Sequence, residues 1–327
     1  MNVNMNVIDI QRLTYQYGRT VALREVDLTV PKGALYALLG PNGSGKTTLL
    51  RCLMGLNRAH SGRASILGVD VTALTPNVRS RIGYVAEGQA LPGGMRLREI
   101  ETYLSPLYDG RWDTALASTL RERFALDPSR KIRTLSRGEQ MKAALLCALA
   151  PRPELLVMDE PFTGMDALVK DELIGGLLES ASSEGSTVLL CSHDIGELEL
   201  LADHVGFLQR GQLRFSESMD SLRNRFRHVE VTRTIPAETK NTERDVPREW
   251  LSVEQSGHRM TFVHSATTAL TDPQLTTEQL MTHHVMAHLD GVLRVDVRDA
   301  TLREIFVALA KQPNDQRAPM SAREMAA

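Results

Sequence analysis

Cysteine is scarce in this chain of 327 residues: Cys52, Cys147 and Cys191 are few, odd in number and far apart. With no CxxC pair, a zinc ribbon is excluded and no disulfide framework can be read, so a reducing compartment is expected. Long apolar runs are missing too. No stretch reaches the about 18 to 20 uninterrupted apolar residues that a bilayer crossing needs. The opening MNVNMNVIDIQRLTYQYG has neither the basic region nor the apolar core of a signal peptide. Neither sign of charge dominates, since 38 basic and 40 acidic side chains give −2 at pH 7. That balance argues against general binding to nucleic acid. Repeats and low-complexity tracts are also absent. These absences predict a cytoplasmic globular protein that would serve a membrane only by docking to it.

What is present is a chain that is 42% hydrophobic and 24% charged, long enough for two cores. Val26–Val30 and Ala34–Leu39 read as strands and Thr47–Met54 as a helix. Leu155–Met158 and Val188–Cys191 are short, fully apolar runs of the kind buried in a parallel sheet. Between about residues 97 and 132 apolar positions recur at helical spacing, which predicts an inserted helical subdomain at about 88–134. After Ser221 the composition changes. Residues 233–249 are polar, carry Pro236 and Pro247, and read as a linker or long loop. Trp250–Val253, Met260–Val263 and Val292–Val297 are strand-like, and Leu302, Ile305, Phe306 and Leu309 share one helix face. The expected division is residues 5–221 for an α/β domain, 222–312 for a small α+β accessory domain and 313–327 for a loose tail.

The stretch Gly40-Pro41-Asn42-Gly43-Ser44-Gly45-Lys46-Thr47-Thr48 fits G-x-x-x-x-G-K-[ST], with a strand before it and a helix after it. Glycine lets the backbone wrap a phosphate without Cβ clashes, while successive amides and the positive helix end face the anion. Lys46 is expected to reach the β and γ phosphates of a nucleotide, and Thr47 to offer its hydroxyl to Mg²⁺. Downstream, the apolar run Leu155–Met158 ends in Asp159 and Glu160. Asp159 would hold Mg²⁺, and Glu160 would position and deprotonate the attacking water. Together these two motifs define a P-loop NTPase.

Leu135-Ser136-Arg137-Gly138-Glu139-Gln140 narrows the class. Ser136 and Glu139 form a capping box at a helix start, and here the sequence resembles the ABC ATPase family, whose signature reads LSGGQ. Further family elements follow at matching spacings. Tyr17 stands where the family places a ring against adenine, in preference to Tyr15. Thr163-Gly164-Met165-Asp166 looks like the loop that meets the opposite subunit, and Ser192-His193-Asp194 like the switch histidine that touches the γ-phosphate. The resemblance spans about Ile8 to Ser221. It implies a P-loop cassette with a mostly parallel sheet, flanking helices and a small antiparallel part, binding ATP and Mg²⁺. It implies an ATPase on the cytoplasmic face of the membrane, driving a transmembrane permease on a separate chain, more in the manner of an exporter than an importer. It also implies head-to-tail pairing with a second cassette, so that Ser136, Arg137, Gly138 and Glu139 would act in trans.

Two positions depart from the family pattern. Glu87 stands where glutamine usually ends a stretch like IGYVPQ, with Gln89 as the alternative, and Arg137 replaces the first glycine of the signature. Arg137 is expected to point to solvent or toward phosphate. His284 and His288 have the i, i+4 spacing of zinc ligands on a helix, but with no third ligand nearby in sequence they read as ordinary core or surface histidines. Trp112 and Trp250 read as packing anchors, and Arg223, Arg225 and Arg227 as a solvated helix face. The competing functions are a soluble ABC ATPase acting on ribosomes or nucleic acid, and the regulatory half of an asymmetric cassette pair. A single phosphate loop and no basic excess disfavour the first, and Glu160 disfavours the second.

Overall fold

The computed structural model describes residues 6–88, 91–199, 201–234, 246–265 and 276–311. Gln89, most of the expected linker and the expected tail therefore lie outside the described residues. The chain divides into two compact units, one made of Met1–Asp194 with Leu201–Ser216, the other of Ile195–Leu200 with Glu217–Ala327.

In the first unit β1 (Asn6–Tyr17) and β2 (Thr20–Pro31) form a long antiparallel pair. β3 (Leu35–Leu39) leads through the glycine-rich loop into α1 (Lys46–Leu53). β4 (Ser61–Ile66) and β5 (Val69–Asp70) follow, then α2 (Pro76–Arg79) and β6 (Ile82–Val85). Next come α3 (Leu97–Leu104) and α4 (Thr114–Arg123), each buried on one face, and α5 (Arg137–Leu149), whose second half is buried all round. β7 (Leu155–Asp159), α6 (Ala167–Glu184) and β8 (Thr187–Ser192) complete the run before Asp194. α7 (Ile195–Leu198) falls in the second unit, and the chain returns with β9 (His204–Gln209) and β10 (Gln212–Ser218).

These strands make two sheets. One is antiparallel in the order β2-β1-β4-β5, and the other has six strands in the order β10-β9-β3-β8-β7-β6. In the larger sheet β9, β3, β8, β7 and β6 run parallel. Every residue of β3, β7 and β8 is buried, as continuous apolar runs covered on both faces require. Parallel strands all end at the same edge, so the loops after β3, β6, β7 and β8 are collected there. The described helices contain none long and apolar enough to cross a membrane.

The second unit continues with α8 (Met219–Arg225), β11 (Phe226–Arg233), β12 (Trp250–Ser256) and β13 (Arg259–Ser265). α9 (Thr277–His288), β14 (Val292–Asp299) and α10 (Leu302–Ala310) follow. Its sheet is antiparallel in the order β12-β13-β11-β14. Val229, Val231, Trp250, Met260 and Phe262 from the sheet pack with Met281 and Val285 of α9. Trp250 stacks on Phe262 with ring centroids 4.1 Å apart, so it does anchor this core. The arginines near the start of this unit do not form the expected solvated helix face. Arg225 pairs with buried Glu217 at 2.6 Å and lies over the Phe226 ring, and Arg227 is on β11. A guanidinium paired with a buried carboxylate keeps its charge out of bulk water.

Candidate functional site

The loop after β3 is shaped by glycine. Gly43 and Gly45 adopt left-handed backbone with φ of 77° and 110°, and a Cβ on Gly45 would stand 2.7 Å from the Ala22 carbonyl oxygen. Gly45 is the N-cap of α1 and no side chain caps that end, leaving the first-turn amides to an anion held by the loop. The Lys46 side chain is only 6% exposed. Its Nζ donates to the Gly40 carbonyl at 2.7 Å and the Pro41 carbonyl at 3.4 Å. The same Nζ lies 3.2 Å from Glu160 Oε1, an ion pair without hydrogen-bond geometry.

Glu160 follows β7 in the left-handed region at φ 48°, which costs a non-glycine residue about 1–3 kcal/mol. Its amide donates to the Cys191 carbonyl at 2.9 Å, fixing it to the end of β8. Its other oxygen, Oε2, is 2.7 Å from His193 Nδ1 and accepts from the Thr163 hydroxyl at 3.2 Å. One buried carboxylate therefore gathers the loop lysine, the residue after β8 and the turn after β7.

Asp159, at the end of β7, is completely buried and neither carboxylate oxygen has a hydrogen-bond partner. Burial pushes its carboxyl above the usual range; Thr47 and Lys46 pull it down, while Glu160 and Glu87 push it further up. Thr47 thus lies next to Asp159, and the charge of exposed Glu87 is felt there. A buried, unpartnered carboxylate next to a threonine hydroxyl is a fitting donor set for a hard divalent cation such as Mg²⁺. The unpartnered hydroxyl of buried Ser44 is a further oxygen in the loop.

Tyr17 is 47% exposed, and its hydroxyl accepts from Asn57 at 3.2 Å. Desolvation raises its phenol, but hydrogen bonds with Thr48, Asn57 and Arg51 outweigh this and lower it overall, tying the ring to the first turn of α1. Its ring meets that of Tyr15 edge to face at 4.9 Å.

A second group of expected site residues forms its own cluster. Ser136 caps α5: its hydroxyl accepts from the Glu139 amide at 3.2 Å, and Glu139 accepts from the Ser136 amide at 2.7 Å. Gly138 lies so close to α6 that a Cβ would meet Val169 at 2.9 Å. Asp166 caps α6 by accepting from the Val169 amide at 3.0 Å. Arg137 is exposed, with its guanidinium lying against Gly164, where a Cβ would be 2.6 Å from Nη1. Among the described residues, no hydrogen bond joins Ser136, Arg137, Gly138 or Glu139 to Lys46, Asp159, Glu160 or His193. The site residues thus fall into two groups, with the Thr163–Asp166 turn touching both.

The Thr163 contact to Glu160 and the Asn57 contact to Tyr17 were not anticipated. Thr163 follows Glu160 by one helical turn, a spacing that could have suggested it, whereas nothing local marks Asn57.

The family described as ABC transporter matches residues 23–163. The ABC transporter ATP-binding protein YhaQ of Bacillus subtilis, itself uncharacterized, is 31% identical over 230 residues, 69% of this chain and 76% of that protein. A probable multidrug ABC transporter ATP-binding protein of Escherichia coli, YbhF, is 32% identical over 66% of this chain, which spans only 38% of YbhF. A solved structure titled as the ATP-binding subunit of an ABC transporter superposes with a TM-score of 0.61 at 26% identity, covering 66% of this chain and 92% of that one.

Proposed function

Because this chain belongs to the ATP-binding proteins of ABC transporters, a family that couples ATP hydrolysis to transport, we propose that it is the engine of an exporter whose permease is a separate chain. It would work as a pair of cassettes on the cytoplasmic face of the membrane. The observation that carries the reading is Glu160, buried and held between Lys46, Thr163 and His193.

Lys46 is occupied by the Gly40 carbonyl and Glu160. On binding ATP it would exchange both for phosphate oxygens, and that exchange releases Glu160 Oε1. Glu160 would then accept the proton of the attacking water, with His193 and Thr163 keeping its other oxygen in place. Thr47 and Asp159 would hold Mg²⁺, which when bound supplies a Lewis acid on the β and γ phosphates. Tyr17, tied to α1, would lie against the adenine. Ser136 and Gly138, unattached to the loop of their own chain, would complete the site of a second cassette.

Exposed Tyr103 and Leu107, on α3 and the turn after it, supply an apolar surface suited to a membrane partner. The export direction is supported by the arginine in the signature and by the multidrug description of YbhF. Glu87 adds a carboxylate near Asp159, so hydrolysis is expected to persist while its coupling to the permease is altered.

The test uses Glu160→Gln, tagged and extracted from membranes in detergent with ATP and Mg²⁺. A polytopic membrane protein in stoichiometric amount is the expected companion. Ribosomes, nucleic acid or no membrane protein at all would overturn the transporter reading.

A further inference from the structure

The second unit brings together polar side chains that are far apart in sequence. Glu249 immediately precedes β12, His264 lies near the end of β13 and His284 is on α9. A ring nitrogen of each histidine and a carboxylate oxygen of Glu249 all lie within 4.8 Å of one another. We propose that Glu249, His264 and His284 form a site for one divalent transition-metal ion of the zinc class, which would tie α9 to the sheet.

The fold explains how the three meet. Met260, Phe262 and His264 alternate along β13 and are all buried, so His264 stands in the row that faces α9. It is paired across the sheet with Trp250, the residue after Glu249. Its Nδ1 is buried without a hydrogen-bond partner, and so is Nε2 of His284, which reaches only to 3.5 Å from Glu249 Oε1. A core position governed by packing alone would carry another apolar side chain, as Met260 and Phe262 do. Two ring nitrogens left unpartnered around one carboxylate instead call for a shared electrophile.

The donor chemistry selects the ion. Two imidazoles and one carboxylate suit Zn²⁺, Co²⁺ or Ni²⁺, whereas Ca²⁺ and Mg²⁺ require oxygen ligands throughout. Metal binding needs the neutral imidazole. Burial holds His264 down at about 4, with His284 adding to the effect, and burial followed by His288 lowers His284. Ligand distances of about 2.0–2.2 Å place tetrahedral donors a little over 3 Å apart, so modest side-chain rotations close the triangle. The Glu249–His284 edge is already at 3.5 Å. Three protein ligands leave a fourth position to water.

To test this, the full chain is stripped with chelator and titrated with Co²⁺ as a spectroscopic probe, followed by Zn²⁺ competition. One equivalent of Co²⁺ is expected to give the visible absorption of a four-coordinate ion, bleached by Zn²⁺. Glu249→Gln, His264→Gln and His284→Gln should each weaken binding by more than the about 10- to 100-fold typical of second-sphere partners. Melting of the metal-free variants, followed through Trp250, checks that the unit still folds. Should His264→Gln fail to fold, the more peripheral Glu249→Gln and His284→Gln decide. Added Zn²⁺ should raise the melting temperature of the wild type and not that of Glu249→Gln. No four-coordinate band in the wild type, or one that survives in folded Glu249→Gln and His284→Gln, would overturn the proposal.

Discussion

In the first unit Lys46, Asp159 and Glu160 are buried where parallel strands end, whereas in the second Glu249, His264 and His284 meet between an antiparallel sheet and the helix laid across it. The difference decides how each site is assembled. At the edge of a parallel sheet every loop arrives by topology, so Lys46, Glu160 and His193 meet although each belongs to its own short motif. In the second unit nothing collects loops. Glu249, His264 and His284 meet because strand alternation turns one ring inward and one helix face turns another toward it. The first arrangement gives Glu160 internal partners in Lys46 and His193, although the carboxylate oxygens of neighbouring Asp159 have none. The second leaves ring nitrogens without any.

The comparison breaks first at Glu160. Glu160→Gln keeps the shape of the side chain but removes the base, so ATP turnover should fall by about 10²- to 10⁴-fold. ATP binding should remain, and unfolding of the second unit should not change. Steady-state phosphate release and a nucleotide-binding titration check this together. Turnover close to wild type would mean that Glu160 is not the base. Next in size is Phe262→Ala, which removes the ring stacked on Trp250 and should cost about 3–5 kcal/mol in the second unit. Denaturation followed by Trp250 fluorescence in a Trp112→Phe background measures it. An equal loss of nucleotide binding would show that the units do not behave separately.

The same contrast governs what could be read without coordinates. β3, β7 and β8 were legible because fully buried strands are continuous apolar runs, and the glycine-rich loop because its residues are contiguous. β2 is longer than its apolar centre at Val26–Val30 suggests, since cross-strand pairing with β1 carries it out to Thr20. The seat of the Arg137 guanidinium was not legible, because it depends on Gly164, a residue with no side chain in the way. The partners of His284 were invisible for a related reason. Helical spacing points from His284 to His288, while the residues that approach it lie on another element and just before a strand. Short-range patterns report what the backbone does locally, and side-chain meetings across elements need the register of the sheet.

A smaller effect sharpens the comparison from the side of pH. Glu304 caps α10 and accepts from Arg298 at 2.9 Å and from the Thr301 amide at 2.9 Å, with His228 3.7 Å away. The hydrogen bond from Arg298 is the main cause that holds its carboxyl down at about 2; burial opposes it, and the bonds from Thr301 add to it. A carboxyl lowered on folding contributes stability above its unfolded value of about 4.5, lost as pH falls toward 2. Wild type should therefore exceed Glu304→Gln in stability at pH 6, and the gap should shrink progressively between about pH 5 and pH 2. Urea denaturation across that range, read through Trp250, measures the gap. A gap that does not change with pH would remove the charge-based account of this cap.

The smallest expected signal bears most directly on the two groups of site residues in the first unit. Ser136 and Lys46 share no hydrogen bond in their own chain, and the proposed pairing has them act on one nucleotide from different cassettes. Lys46→Ala should be inactive because its loop cannot hold the phosphates. Ser136→Glu should be inactive because it sets a carboxylate against the docking phosphate, while the start of α5 tolerates the negative charge. When the two variants are mixed, each heterodimer holds one site with both defects and one with none. With random pairing in a two-fold dimer, about a quarter of wild-type turnover should return. If the residues acted within one chain, every site would keep one defect and the mixture would stay inactive. Phosphate release from the mixture, measured against each variant alone, separates the two arrangements without any structure of the pair.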